Sequence, residues 1–300
     1  MSLFLGIDIG GTKIACGLVS ESGQVLRQSR RPTPLSGGTS ILEAALDLAG
    51  EYRAEPITAI GIGTGGQVNA DTGVIVSATH LLPGWAGTRV KAAFESALGL
   101  PCFVDNDVNA LAVGEHRFGN GQGLTTVVYL ALGTGVGGAL LLNGRLHHGS
   151  HWAGAEFGHL LLAMGEAAPR RSLEEYVSGP GLVQTYREIS GFDGEITGET
   201  VAAEAHQNPE SAAASAVART GEYLGYGLVS LANVLDPDLI VIGGGLAALG
   251  DSLLEPARKR LSLHALPGPA QCPVVFAALG SDSSLVGAAA LAMGRANKCR

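Results

Sequence analysis

Apolar residues in this chain come in short runs punctuated by glycines. Leu5-Gly6-Ile7-Asp8-Ile9 leads into Gly10-Gly11-Thr12-Lys13 and then into Ile14-Ala15-Cys16-Gly17-Leu18-Val19. About 120 residues later, Tyr129-Leu130-Ala131-Leu132 leads into Gly133-Thr134-Gly135-Val136-Gly137-Gly138 and then into Ala139-Leu140-Leu141-Leu142. Each stretch reads as two buried strands joined by a glycine turn. Such a turn leaves backbone N–H groups open to an anion, because no side chain blocks the approach. Two of them in one chain point to two lobes gripping one polyphosphate from opposite sides, and so to ATP-dependent phosphoryl transfer.

Between and after the hairpins, strand and helix patterns alternate. Residues 24–27 read as a third strand. Residues 40–51 carry helical spacing through Ile41, Leu42, Ala45, Leu46 and Leu48. A short buried strand over 58–63 ends in Thr64-Gly65-Gly66, and a helix over 90–98 stops at Gly99. A strand over 101–104 ends in Asp105-Asn106-Asp107, and a helix follows over 109–118. Gly119-Asn120-Gly121-Gln122-Gly123 is the best linker candidate. Further on, helices are expected over 173–178, 211–234 and 284–295. A strand over 239–242 ends in Gly243-Gly244-Gly245. The alternation argues α/β architecture, and the repeated strand–turn–strand opening argues a duplicated lobe.

Composition narrows the class. The chain has 300 residues, enough for two lobes, and is 46% hydrophobic and only 15% charged, as expected of a globular protein. Its formal net charge is -8 with no basic cluster, which argues against nucleic-acid binding. No apolar run reaches the length of a membrane span, and no signal peptide is visible. Cys16, Cys102, Cys272 and Cys299 show no paired spacing, so free thiols in a reducing cytoplasm are expected.

The glycine patterns Gly61-x-Gly63-x-x-Gly66 and Gly133-x-Gly135-x-x-Gly138 match a dinucleotide fingerprint by spacing. That fingerprint needs a helix directly after the loop, and neither match has one. The phosphate-loop motif ending in Lys-Ser/Thr is also absent. What distinguishes the chain is that three glycine clusters, after Ile9, Leu132 and Ile242, each cap a buried strand, where ligands gather in α/β sheets.

Asp8 precedes the first glycine turn. A carboxylate beside a phosphate loop is repulsive unless a cation intervenes, so Asp8 is expected to position hydrated Mg²⁺, with Thr12 and Lys13 beside the phosphates. An Asp capping its own turn is the bland alternative. Asp107, at a strand-to-helix junction, is a candidate base for a hydroxyl, or equally a helix N-cap with Asn106 filling the turn. Glu156, His159, Glu174 and Glu175 are candidates for holding polyol hydroxyls. A charge favoured at a helix N-terminus would also account for the last two. His147, His148 and His151 lack a carboxylate or Cys at ligand spacing and read as a solvated loop.

Taken together, these motifs resemble the ROK family of repressors, open reading frames and sugar kinases, over nearly the whole chain. The resemblance implies an α/β, two-lobed, actin-like or ribonuclease H-like ATPase fold with duplicated lobes and a central cleft. The lobes are expected at 1–118, with 285–300 packing back on it, and at 119–284. It implies Asp107 as catalytic base and Asn106, Glu156, His159 and Glu174 as sugar ligands. Gly10, Gly11, Thr12, Lys13, Gly133, Thr134, Gly135 and Gly137 would hold the phosphates of ATP, and Gly243, Gly244 and Gly245 the adenosine. A cytoplasmic homodimer is expected. A repressor would carry an N-terminal helix-turn-helix domain, which is not expected ahead of a chain that opens on the phosphate hairpin.

Within the family, 63–69 and 118–123 look closest to N-acylmannosamine kinases. By that analogy Gly66, Gln67 and Thr79 would approach the N-acyl group or neighbouring hydroxyls, though Gln67 stands where that relative has Arg. N-acetylmannosamine is thereby favoured as substrate, with glucose as the alternative. Most ROK proteins bind a structural zinc through three Cys and the His that corresponds to His159. Residues 164–172 of this chain contain no Cys, so no structural zinc is expected.

Overall fold

A computed structural model describes residues 2–162 and 170–296. In chain order the elements are β1 (Leu3–Ile9), β2 (Lys13–Ser20), β3 (Val25–Pro32), α1 (Gly38–Gly50), β4 (Ile57–Thr64), β5 (Gln67–Asn69), β6 (Val74–Ser77), α2 (Val90–Leu98), β7 (Cys102–Asn106) and α3 (Asp107–Phe118). There follow β8 (Val127–Leu132), β9 (Val136–Leu142), β10 (Arg145–Leu146), α4 (Leu173–Val177), α5 (Gly179–Ser190), α6 (Gly198–Gln207), α7 (Ala212–Leu235), β11 (Leu239–Gly243), α8 (Asp251–His264), β12 (Val274–Phe276) and α9 (Ser283–Ala296).

These elements form two compact units. The first comprises Met1–Gly123, Leu146–Gly154 and Ala277–Arg300, and the second Leu124–Arg145 and Ala155–Phe276. The sequence places the first boundary after residue 118 and the return at 285. In the structure the fully buried Glu115 holds both crossing segments in the first unit. Its Oε1 accepts the Leu279 N–H at 2.8 Å and its Oε2 the Asn120 N–H at 3.2 Å.

Both units are built on a five-stranded sheet of one plan. The first sheet has order β3-β2-β1-β4-β7 and the second β10-β9-β8-β11-β12. In each, a glycine hairpin supplies an antiparallel pair, Ile9 opposite Ile14 and Leu132 opposite Val136 at the turns. Parallel strands then extend the sheet from the hairpin's first strand. The alternation of buried strand and amphipathic helix in the sequence is what such a parallel extension requires, because each crossover must bury a helix on the sheet.

In the first unit Leu5, Ile7, Ile9, Ile14 and Cys16 pack with Ile41 and Leu48 of α1, Phe94 of α2, Tyr52 and Trp85. The opposite face takes α9, whose Ala289, Ala292 and Met293 pack with Phe4, Val19 and Ala59. That helix lies unusually close to the sheet. A Cβ at Gly6 would stand 2.2 Å from the Leu285 carbonyl oxygen, and one at Gly61 would stand 1.8 Å from that of Ala288. In the second unit Val128, Leu130, Ile240 and Ile242 pack with Leu224, Leu228 and Leu231 of α7 and Leu253, Leu254 and Leu261 of α8.

Cys16 and Cys102 are buried free thiols, and Cys272 is also free. Cys299 lies outside the described residues, as does Ala163–Pro169, and with it most of the Cys-free loop. Among the described residues no helix is long and apolar enough to cross a membrane.

Candidate active site

In the first unit, three strands bring the acidic residues together. Asp8 of β1 pairs with Gly63 of β4, and Gly63 pairs with Asp105 of β7. In-register residues of neighbouring strands face the same side. Gly63 lets α3 lie close over the sheet, since a Cβ there would stand 3.1 Å from the Ala110 Cβ. The N-cap of α3 is Asn106, whose Oδ1 accepts the N–H groups of Val108 at 2.9 Å and Asn109 at 3.3 Å. Asp107 is therefore the first helical residue, not the cap, and the capping alternative for it is corrected. The Asn106 amide also donates to the Gly66 carbonyl at 3.0 Å.

Electrostatics single out two of these carboxyls. Asp8 is pushed up to about 6, first by burial and then by the charge of Asp107, against a hydrogen bond from Ser284 and the Lys13 ammonium. Burial raises Asp107 as well, opposed by the Val108 N–H. The charge of Asp107 thus adds to burial in raising Asp8, a repulsion that a divalent cation would neutralise. Among the described residues no group of three or more metal-binding side chains forms, so a magnesium ion beside Asp8 would be held by that carboxyl and otherwise by water and phosphate oxygens.

The first glycine turn is closed by the Gly10 N–H on the Lys13 carbonyl at 3.0 Å. Thr33 Oγ1 donates to the Gly10 carbonyl at 2.6 Å. Thr12 and Lys13 are exposed at its tip. Gly11 is covered by Leu81, whose Cβ would lie 2.6 Å from a Cβ there. Gly66 holds φ +98, a left-handed conformation that suits glycine. Gln67 accepts a hydrogen bond from the Ser77 hydroxyl at 3.0 Å, and Thr79 is exposed on the following loop. A brace unforeseen from sequence steadies this edge: Trp85 Nε1 donates to Thr64 Oγ1 at 3.0 Å, and that hydroxyl donates to the Ile9 carbonyl at 3.1 Å.

In the second unit the glycine turn opens onto a cavity of about 1010 Å³ lined by Gly133, Thr134, Gly179, Pro180 and Gly245. Apolar walls come from Leu182, Val183, Ile196, Ala202, Leu246 and Leu249, and polar groups from Arg187, Thr197 and Glu199. The turn is fastened to the start of α5 by the Gly179 N–H on the Gly133 carbonyl at 2.8 Å. Ser178 caps α5, and Pro180 stands in its first turn. Partial positive charge at that helix end faces the same cavity as the glycine turn, a suitable place for phosphate. Sequence reading missed α5 and α6 altogether, because Gly179-Pro180-Gly181 resembles a turn. The overlooked signal was Ser178 followed by Pro at the first helical positions.

The expected nucleotide glycines divide by role. Gly133 and Gly245 have no atom within 4 Å of a would-be Cβ. Gly244, at φ +84, lies so close to Leu132 that a Cβ would stand 2.3 Å from its carbonyl oxygen. Gly137 and Gly243 both pair with Ala131 inside the sheet and do not line the cavity. Gly135 presses on Glu174, whose Oε2 accepts the Val136 N–H at 2.8 Å. Glu174 is thus bound to the glycine turn itself.

Glu156 and His159 are exposed on a 3-10 turn, Phe157–His159, which rests on β9. The contact is backbone to backbone, with a Cβ at Gly158 only 2.3 Å from the Val136 carbonyl oxygen. Ala155, just before, takes φ +66. The segment after this turn is fastened by the Leu162 N–H on the Arg171 carbonyl and the Leu173 N–H on the Leu160 carbonyl, both at 2.7 Å. Buried Arg170 adds bonds to Thr185 at 2.9 Å and Glu188 at 2.8 Å, and sits over the Tyr176 ring. Of the three clustered histidines, His147 and His151 are exposed as expected, but His148 is not simply solvated: its Nε2 lies 2.7 Å from Asp105 Oδ2.

Comparison with known proteins agrees with this layout. The model of the ROK family matches residues 4–295. The glucokinase of Streptomyces coelicolor is 33% identical over 97% of this chain and 98% of its own. The N-acetyl-D-glucosamine kinase of Salmonella gallinarum is 31% identical over 96% of this chain and 99% of its own. The crystal structure of a ROK family glucokinase from Streptomyces griseus, in complex with glucose and AMPPNP, superposes with a TM-score of 0.81 at 33% identity, covering 97% of this chain and 99% of that one. The two-unit α/β architecture is the actin-like ATPase fold of such kinases. With a family match from residue 4 to residue 295, this chain belongs to the ROK family and stands among its sugar kinases.

Proposed function

We propose that the protein transfers the γ-phosphoryl group of Mg-ATP to the 6-hydroxyl of a hexose or N-acylhexosamine. The observation that carries this reading is the pair of half-buried carboxyls at the end of the first sheet, Asp8 and Asp107, both raised by burial and Asp8 further by the charge of Asp107. A raised proton affinity suits Asp107 to take the proton of the attacking hydroxyl. Asn106 and Gly66, already bonded to each other, present the sugar side of that corner, with Gln67 and Thr79 farther along the same edge. Glu156, His159 and Glu174 contribute further hydroxyl contacts, Glu174 through the carboxylate that the Val136 N–H fixes.

ATP occupies the cavity of the second unit. Its adenosine lies against Leu246, Leu249 and the open face of Gly245, and its phosphates reach Gly133, Thr134 and the start of α5. Gly10, Gly11, Thr12 and Lys13 serve the phosphates from the first hairpin. Magnesium, when bound, screens the phosphate oxygens from Asp8 and spreads charge developing on the transferred group.

N-acetylmannosamine is supported by the look of 63–69 and 118–123. Glucose is supported equally by the 33% identity to glucokinases, and N-acetylglucosamine by the Salmonella relative. The test is product analysis by phosphorus NMR with Mg-ATP and each of glucose, N-acetylglucosamine, N-acetylmannosamine, mannose and fructose. A 6-phosphate with at least one of them is expected. Failure of every sugar, with ATP bound, would overturn the reading.

A further inference from the structure

We infer that His148 is a positioning residue for phosphoryl transfer, acting through Asp105 on the corner that carries Asp107. The inference rests on the kinase reading above and adds a residue to it.

Asp105 is the next-to-last residue of β7, beside Asn106, and is only 1% exposed. A buried carboxylate requires donors for both oxygens. Oδ1 takes the Asn106 N–H at 2.9 Å and the Asn109 side-chain amide at 2.8 Å. Oδ2 has His148 Nε2 at 2.7 Å. A carboxylate oxygen accepts, so Nε2 is the donor, at the short end of the hydrogen-bond range.

The imidazole is itself held in place. His148 lies in Leu146–Gly154, which belongs to the first unit while the residues on both sides belong to the second. That segment closes on itself through the Gly154 N–H on the His148 carbonyl at 2.8 Å. The Trp152 ring meets the imidazole edge-on at 5.5 Å.

Asp105 passes this rigidity on. It holds the backbone of Asn106, one residue before Asp107, and the side chain of Asn109, two residues after. Without the imidazole, Oδ2 is left buried without its donor. Asp105 then rotates or admits water, and either response loosens Asn106 and Asn109. Asp107 lies between them. Phosphoryl transfer depends chiefly on positioning, and a displacement of about 1 Å costs on the order of 10²-fold in rate.

The test compares wild type with His148→Ala, His148→Asn and His148→Gln in the full chain, measuring kcat, both KM values and Tm. Ala and Asn remove or shorten the donor and are expected to lower kcat by roughly 10- to 100-fold. KM for Mg-ATP should stay within about twofold, since the cavity proposed for the nucleotide is lined by none of His148, Asp105 and Asp107. Gln places an N–H near the position of Nε2 and is expected to restore most of kcat. Should Ala not fold, Asn gives the same reading. A folded Ala or Asn enzyme with wild-type kcat overturns the inference, as does a stable Gln enzyme as slow as Asn. A wild type that phosphorylates no sugar overturns the kinase reading and this inference with it. An active wild type with unaffected variants overturns only this one.

Discussion

Asp107 raises the proton affinity of Asp8: after burial, its charge is the largest cause holding the Asp8 carboxyl at about 6. Asp8 lies on β1 and Asp107 opens α3, directly after β7 of the same sheet, and the cost of ionising both falls on the ligand-free protein. Its sign follows from linkage. With the folded value above the ordinary 3.8, the folded state binds more protons than the unfolded between about pH 4 and 6. Stability of the ligand-free protein should therefore fall as pH rises through that window and level off above it. Asp8→Asn should stabilise the ligand-free protein at pH 7.5 by roughly 1–3 kcal/mol while abolishing most turnover. Thermal melts at pH 5 and 7.5 check this, and a variant less stable than wild type at pH 7.5 would count against the pairing.

Gly244 and Gly245 are neighbours with opposite demands. Gly244→Ala forces a Cβ to 2.3 Å from the Leu132 carbonyl oxygen at φ +84, and should cost on the order of 2–3 kcal/mol. Gly245→Ala meets no atom within 4 Å, so Tm should hardly move. Its methyl group enters the cavity proposed for ATP, and KM for ATP should rise several-fold. Melting curves and ATP titrations of the two variants separate fold from binding.

Arg170 is buried with its guanidinium on Thr185, Glu188 and the Gly181 carbonyl, stacked over Tyr176. Arg170→Ala takes the guanidinium donors from the buried Thr185 hydroxyl and Gly181 carbonyl and from the partly exposed Glu188, and should cost about 3 kcal/mol. Urea melts read this directly, and a loss below roughly 1 kcal/mol would mean that solvent already shares the site.

Residues 164–172 contain no cysteine. We predict less than a stoichiometric amount of tightly held zinc in the purified protein, and no loss of Tm on treatment with a zinc chelator. Elemental analysis with one zinc per chain would overturn that prediction.

Much of this arrangement was legible in the sequence where the physics is local. The two hairpins announce themselves because apolar strands flank glycine turns, and α2 ends at Gly99 because the left-handed C-cap favours glycine. The cap of α3 was legible only in part: Asn106 and Asp107 both suit an N-cap, and only the backbone shows that Asn106 takes the role. Helix α8 went unseen because Pro256 interrupts its pattern, and β12 because three residues at a sheet edge carry little periodicity. The bonds that tie Glu174 to Val136 and His148 to Asp105 join residues 38 and 43 positions apart, and no spacing rule reaches that far.

The most direct test of the central claim is sugar-dependent ADP release by wild type and Asp107→Asn, with sugar affinity measured alongside by calorimetry. The account predicts that the variant binds the preferred sugar within a few-fold of wild type and loses turnover by about two to four orders of magnitude. An Asp107→Asn enzyme with near-normal turnover would contradict it, because the carboxyl at the start of α3 would then not be the group that takes the hydroxyl proton.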